Sequence, residues 1–172
     1  MSKSIEFRYE KYGAIALAPW FMDQGYEVQL SVPGPLSELV NRKDLGGIEP
    51  PLLSDFDTDD PQTRYEIYYD SPGHIDLVAR NSDELWIIEA KGLVKGGGAP
   101  GAIAAAIGQV ILHIDPSHSE FRYGVLLPKE ERYLRVIAEA SVDNPIFCDP
   151  NFKIFWVSKT GNIEVDEKFS DA

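Results

Sequence analysis

Cysteine is almost missing: Cys148 is the single cysteine in 172 residues. No internal disulfide can form, and no Cys-x-x-Cys zinc pattern exists. Long apolar runs are lacking too. A membrane-spanning helix needs about 20 successive apolar residues. The longest candidate runs, 14–22 and 102–114, are broken by Pro19 and by Gly108 and Gln109. The opening Met1-Ser2-Lys3-Ser4-Ile5-Glu6 carries no apolar signal-peptide core. These absences set the expectation of a cytoplasmic chain in a reducing compartment. No internal repeat is present either.

Positive charge is scarce. There are 16 Lys and Arg against 28 Asp and Glu, a net charge of −12. Proteins that grip nucleic acid through its phosphates normally present a basic footprint. The charge argues against strong nonspecific binding by the whole surface but not against a local basic face. The charge is unevenly spread. Residues 49–70 hold seven acids and one base, giving −6; residues 91–135 hold six bases and four acids, giving +2.

What is present is globular: 44% hydrophobic, 26% charged and 11% aromatic residues. Residues 1–172 are expected to form one domain with a proper core. The periodicity predicts a helix over 5–24, with Tyr12, Ile15, Ala18 and Met22 on one face and a kink or restart at Pro19. A strand follows at 26–32. Prolines and glycines punctuate 33–64, which reads as a long loop or insertion. Further strands are expected at 65–69, 73–80 and 85–91, the last two joined by a turn at Asn81–Asp83. The Gly-rich stretch 92–101 lacks the Gly-Lys-Ser/Thr ending of a nucleotide P-loop. It reads as a mobile loop near substrate phosphates.

A helix over 102–114 should bury Ile103, Ile107, Val110, Ile111 and Ile114. A strand at 122–127 and a helix at 130–140, with Tyr133, Leu134, Ile137 and Ala138 inward, come next. A strand at 152–157 and a hairpin-like tail at 161–165 close the chain. The order α-β-β-β-α-β-α-β makes an α/β fold with a mixed central sheet flanked by helices. Trp20, Trp86 and Trp156 read as core residues, and Cys148 carries no argument for catalysis.

The chemistry concentrates around one hairpin. Glu89 and Lys91 alternate onto one face of their strand, and pairing around residues 82–83 brings Asp76 opposite Glu89. Two carboxylates and an ammonium thus converge beside the apolar pair Ile87-Ile88. Charges in such a place cost several kcal/mol unless paired or metal-bound. Carboxylate oxygens are hard ligands for Mg²⁺ or Mn²⁺, and a neighbouring lysine can stabilise charge developing on a phosphoryl group. The bland alternative is an edge strand on which Glu89 and Lys91 form a solvated ion pair.

Asp76, twelve intervening residues, then Glu89-Ala90-Lys91 resembles the PD-(D/E)xK phosphodiesterase superfamily, with its restriction-endonuclease-like fold. The likeness extends over roughly residues 5–127. It implies a metal-dependent nuclease acting on DNA, with RNA also open. It implies Asp76, Glu89 and the Ala90 carbonyl as metal ligands and Lys91 as the catalytic lysine. It offers Glu10 on the first helix as a further acidic ligand. One exonuclease-type branch carries Gln-x-x-x-Tyr on the next helix. Here Gln109 matches the glutamine, as a candidate catalytic residue, and His113 stands in the tyrosine's place.

Gln109 and His113 either approach the site or form the polar rim of their helix. His74 either contacts substrate or caps the hairpin. Lys95 and Arg122 are candidate substrate contacts, and a homodimer or larger complex would add others. Two other classes stay open: a catalytically silent binding or assembly module of this fold in a defence or phage-related system, with the acidic 49–70 segment as its partner surface, and an acidic inhibitor that mimics nucleic acid.

Overall fold

A computed structural model describes residues 10–30 and 75–166. The expected 33–64 insertion, the strand at 65–69, the acidic 49–70 segment and His74 lie outside the described residues. The protein is α/β. Helix α1 (Glu10–Met22) precedes β1 (Glu27–Leu30), β2 (Leu77–Arg80) and β3 (Leu85–Ala90). Helix α2 (Ala99–Ile111), β4 (Phe121–Pro128) and α3 (Glu131–Ala140) follow. A 3₁₀ turn (Pro145–Cys148), β5 (Phe152–Val157) and β6 (Ile163–Val165) complete the order.

The six strands form one mixed sheet in chain order. β2 lies antiparallel between β1 and β3, β3, β4 and β5 run parallel, and β6 returns antiparallel to β5. The parallel steps need crossovers, which α2 and α3 supply. The β2–β3 turn forms where expected: the Asn81 side-chain oxygen accepts the N–H groups of Asp83 (2.8 Å) and Glu84 (2.9 Å). Its register pairs Leu77 with Ile88 and Arg80 with Leu85. Extended by one residue, it sets Asp76 opposite Glu89, as the hairpin arithmetic requires.

Each face of the sheet has its own core. α1 covers the face bearing Leu77, Ile88, Ala90, Leu126 and Phe155. Ile15 and Ala18 are buried and Met22 packs against the core, as expected, and Ala14, Leu17 and Phe21 widen the buried stripe. This helix is apolar nearly all round, and such a sequence does not fix the limits of the buried face. It also continues through Pro19, and the Pro19 carbonyl accepts the Asp23 N–H at 2.9 Å. Burial of Leu17, Ala18 and Phe21 offsets the roughly 3 kcal/mol that an interior proline costs. Trp20, Phe21, Trp86 and Phe155 pack with ring centroids 5.0–5.9 Å apart.

Gly124 marks where this core is tightest. A Cβ there would lie 2.7 Å from a Phe155 ring carbon and 2.9 Å from Ile88 Cδ1.

α2 and α3 cover the other face over Ile87, Val125, Leu127 and Trp156. α2 begins at Ala99, three residues before its expected start, because Pro100 is tolerated in a first turn. It buries Ala99, Ile103, Ala106 and Val110. Ile111 is 49% exposed and Ile114, past the helix end, 41% exposed, which corrects the expected stripe. In α3, Tyr133 and Ile137 are buried, while Leu134 and Ala138 are exposed. Among the described residues no helix is long and apolar enough to cross a membrane.

Candidate active site

β3 is an interior strand, flanked by β2 and β4, so the edge-strand reading of Glu89 and Lys91 is overturned. Alternation puts Ile88 and Ala90 toward α1, and Ile87 and Glu89 toward α2. Glu89 is 5% exposed and is the one charged residue in the buried class among the described residues. Lys91 Nζ lies 2.7 Å from Glu89 Oε1, with side-chain exposures of 11% and 7%. Asp76 closes the constellation. Its Oδ2 accepts the Ala90 N–H at 2.7 Å. The Lys91 N–H leaves the opposite edge of β3, to the Leu126 carbonyl at 2.9 Å. Backbone polar groups thus pin both sides of the Glu89-Ala90-Lys91 segment, while the acid and the lysine hold each other.

The loop after Lys91 is anchored to α3. The Tyr133 hydroxyl donates to the Gly92 carbonyl (2.9 Å) and accepts the Val94 N–H (3.2 Å). Arg132 Nη1 donates to the Gly96 carbonyl at 2.7 Å. Periodicity assigned Tyr133 to the core and missed this clamp. The available signal was the choice of tyrosine over phenylalanine at a fully buried position, where a hydroxyl needs a partner.

The other candidate residues divide by the end of the sheet they occupy. α1 runs antiparallel to β3: Gly13 abuts Leu126, the partner of Ala90, and Phe21 packs on Trp86 near the strand's start. The backbone of Glu10, one turn before Gly13, therefore lies at the end of the sheet where Lys91 emerges. Lys95 is exposed on the loop at that same end.

Gln109, His113 and Arg122 are not brought there. Gln109 is exposed and sits ten residues into α2, about 15 Å along a helix that starts at the Lys91 end and runs away from it. His113 follows at the far end, half-buried, and burial pushes its pKa down. Arg122 pairs in register with Trp86, three residues and about 10 Å from the level of Glu89. Its Nε lies 3.2 Å from Glu84 Oε2, and its Nη1 donates to the Ser119 carbonyl at 2.8 Å. Glu84 also accepts from Tyr26 and from Trp86 Nε1 (2.9 Å). Arg122 belongs to that structural node.

Among the described residues no group of three or more His, Cys, Asp and Glu side chains could hold a metal ion. The donors at hand are two carboxylates and a backbone carbonyl. Alternation along β3 turns the Ala90 carbonyl to the edge that faces Asp76, since the Ala90 N–H leaves by that edge and the Lys91 N–H by the other. Asp76, Glu89 and Ala90 then form an all-oxygen set, the chemistry that Mg²⁺ and Mn²⁺ prefer. No protein-family model, curated protein or solved structure matches this chain.

Proposed function

We propose that this chain is a metal-dependent nuclease that hydrolyses phosphodiester bonds in DNA, built on a restriction-endonuclease-like core. The observation that carries the reading is Glu89, a buried carboxylate on an interior strand, held 2.7 Å from Lys91 and facing the level of Asp76. A purely structural ion pair has little reason to be there, because a buried pair is often no more stabilising than well-packed apolar residues. An active site does have a reason, since fixed charges act most strongly where water is excluded.

In this reading Asp76, Glu89 and the Ala90 carbonyl would hold Mg²⁺ or Mn²⁺, with Glu10 as a further candidate from α1. When bound, such an ion polarises a phosphoryl oxygen and acidifies water. The chain's own residues do the rest. Asp76 is oriented by the Ala90 N–H before any ligand arrives. Glu89 holds the Lys91 ammonium in one place. Lys91 then presents a fixed positive charge where negative charge grows on the phosphoryl oxygens.

The test is cleavage of single-stranded, duplex and branched DNA with Mg²⁺, Mn²⁺ or EDTA, paired with calorimetry of Mg²⁺ and Mn²⁺ binding. Metal-dependent cleavage, and binding that weakens markedly in Asp76→Ala, are expected. Equal metal binding by both proteins would remove Asp76 from the ligand set. DNA binding without cleavage under any of these conditions would favour the silent-module reading instead.

A further inference from the structure

Each of the three parallel strands is followed at its carboxyl end by a lysine: Lys91 directly after β3, Lys129 directly after β4, and Lys159 in the turn after β5. Lys95 and Arg132 sit at the same end. Contacts join these residues into one rim. Lys159 Nζ lies 2.9 Å from Glu130, at the start of α3. Arg132, two residues on, holds the Gly96 carbonyl beside Lys95. Lys129 pairs with Glu164.

The opposite end of the sheet is acidic, with Asp83, Glu84, Asp115, Glu120 and Asp149 in its turns. Arg80 at that end pairs with Glu27 at 2.9 Å, and the less exposed Arg122 with Glu84. Among the described residues the lysines that follow the parallel strands therefore gather at one end of the sheet.

Ligands of α/β sheets characteristically bind outside the carboxyl ends of the parallel strands. Neighbouring strands are about 4.8 Å apart, so β3 and β5 are separated by about 10 Å. A nucleic-acid strand carries one negative charge on every nucleotide. A rim of this width is long enough to meet more than one phosphate. The carboxylates now beside these lysines are weak competitors. Lys159 and Glu130 are 63% and 28% exposed, Lys129 and Glu164 36% and 54%, and pairs this accessible contribute little. A regular series of point charges suits a repeating phosphate better than it suits the irregular side chains of an acidic protein.

We propose that Lys95, Lys129, Arg132 and Lys159 form a track that holds the phosphate backbone of a nucleic-acid strand across Lys91, and that Arg122 takes no part in it. The proposal rests on the nuclease reading of the site. The test is binding of labelled single-stranded and duplex DNA by the full chain in EDTA, followed by fluorescence anisotropy over a salt series. The variants are Lys95→Glu, Lys129→Glu and Lys159→Glu, with Arg80→Glu at the other end as control and circular dichroism to confirm folding.

Each rim reversal is expected to weaken binding about tenfold or more at low salt and to reduce the salt slope by about one. Arg80→Glu should leave both unchanged. Rim variants that bind DNA like the wild type, while the wild type cleaves it with Mg²⁺, would overturn the track and leave the nuclease reading standing. A wild type that neither binds nor cleaves DNA would overturn both. Binding of poly-glutamate as tight as that of DNA would overturn nucleic acid as the occupant.

Discussion

Lys91 and Glu89 depend on each other, and that dependence separates two effects of a single substitution. Removing the ammonium leaves a carboxylate that is 5% exposed without its 2.7 Å partner. Breaking such a pair from one side costs about 3–5 kcal/mol. Lys91→Ala should therefore lower the urea midpoint as well as slow cleavage. The double variant Glu89→Gln/Lys91→Met removes both charges and should recover most of the lost stability, but none of the activity. Denaturant melts of the three proteins check this, and a double variant no more stable than Lys91→Ala would mean the two side chains are not energetically coupled. Gly124 offers a control unconnected with chemistry. Gly124→Ala drives a methyl to within 2.7 Å of Phe155 and should cost about 1–3 kcal/mol by overpacking, with metal binding unchanged.

Among the elements, the loop between β3 and α2 is held chiefly by α3. Tyr133→Phe keeps the ring in the core but orphans the Gly92 carbonyl and the Val94 N–H. The expected loss is about 1–3 kcal/mol, accompanied by faster hydrogen exchange of the Val94 amide. Exchange unchanged at that amide would show that the loop is held by other contacts. How far the elements were legible follows from what each reading depended on. The β2–β3 hairpin could be read to the residue, because the Asn81 turn and the alternation of Glu89 and Lys91 fix its register locally.

The buried face of α1 was read in part: Ile15 and Ala18 were expected, whereas Ala14, Leu17 and Phe21 were not, because the helix is apolar nearly all round. The place of Gln109 on the exposed rim of α2 has a different origin. Its spacing was right for a motif, but the end of α2 that meets Lys91 is set by the crossover between parallel strands, a nonlocal fact. Tyr133 escaped notice because periodicity reports burial and says nothing of what a buried hydroxyl touches.

For the whole molecule, titrations away from the site shape the pH range of stability. Burial is the main cause that raises the pKa of Tyr26, reinforced by Glu84, and burial likewise raises Tyr123. The unfolded chain then loses these protons first, near 10.0, so stability is full below that pH and is lost as pH rises through the folded values. Burial lowers His113 below 6.5. The unfolded chain takes up that proton first, so this contribution is present above 6.5 and is lost as pH falls. Thermal melts between pH 5 and 11 should show a plateau bounded by these two arms, and His113→Gln should flatten the acid arm near 6.5. A melting temperature that rises above pH 10 would contradict the tyrosine assignment.

The same molecule gathers Asp76, Glu89 and Lys91 at one end of its sheet, so the proposed function rests on the carboxyl end of β3. The most direct measurement is the rate of DNA cleavage at saturating Mg²⁺ by the wild type, Lys91→Ala and Lys91→Arg, each shown to be folded by circular dichroism. Loss of one preorganised charge of this kind lowers turnover by about 10²–10³, and arginine should not fully restore it, because a planar fork differs from a compact ammonium. That drop is expected in a folded Lys91→Ala protein. Wild-type cleavage by the same folded variant would contradict it.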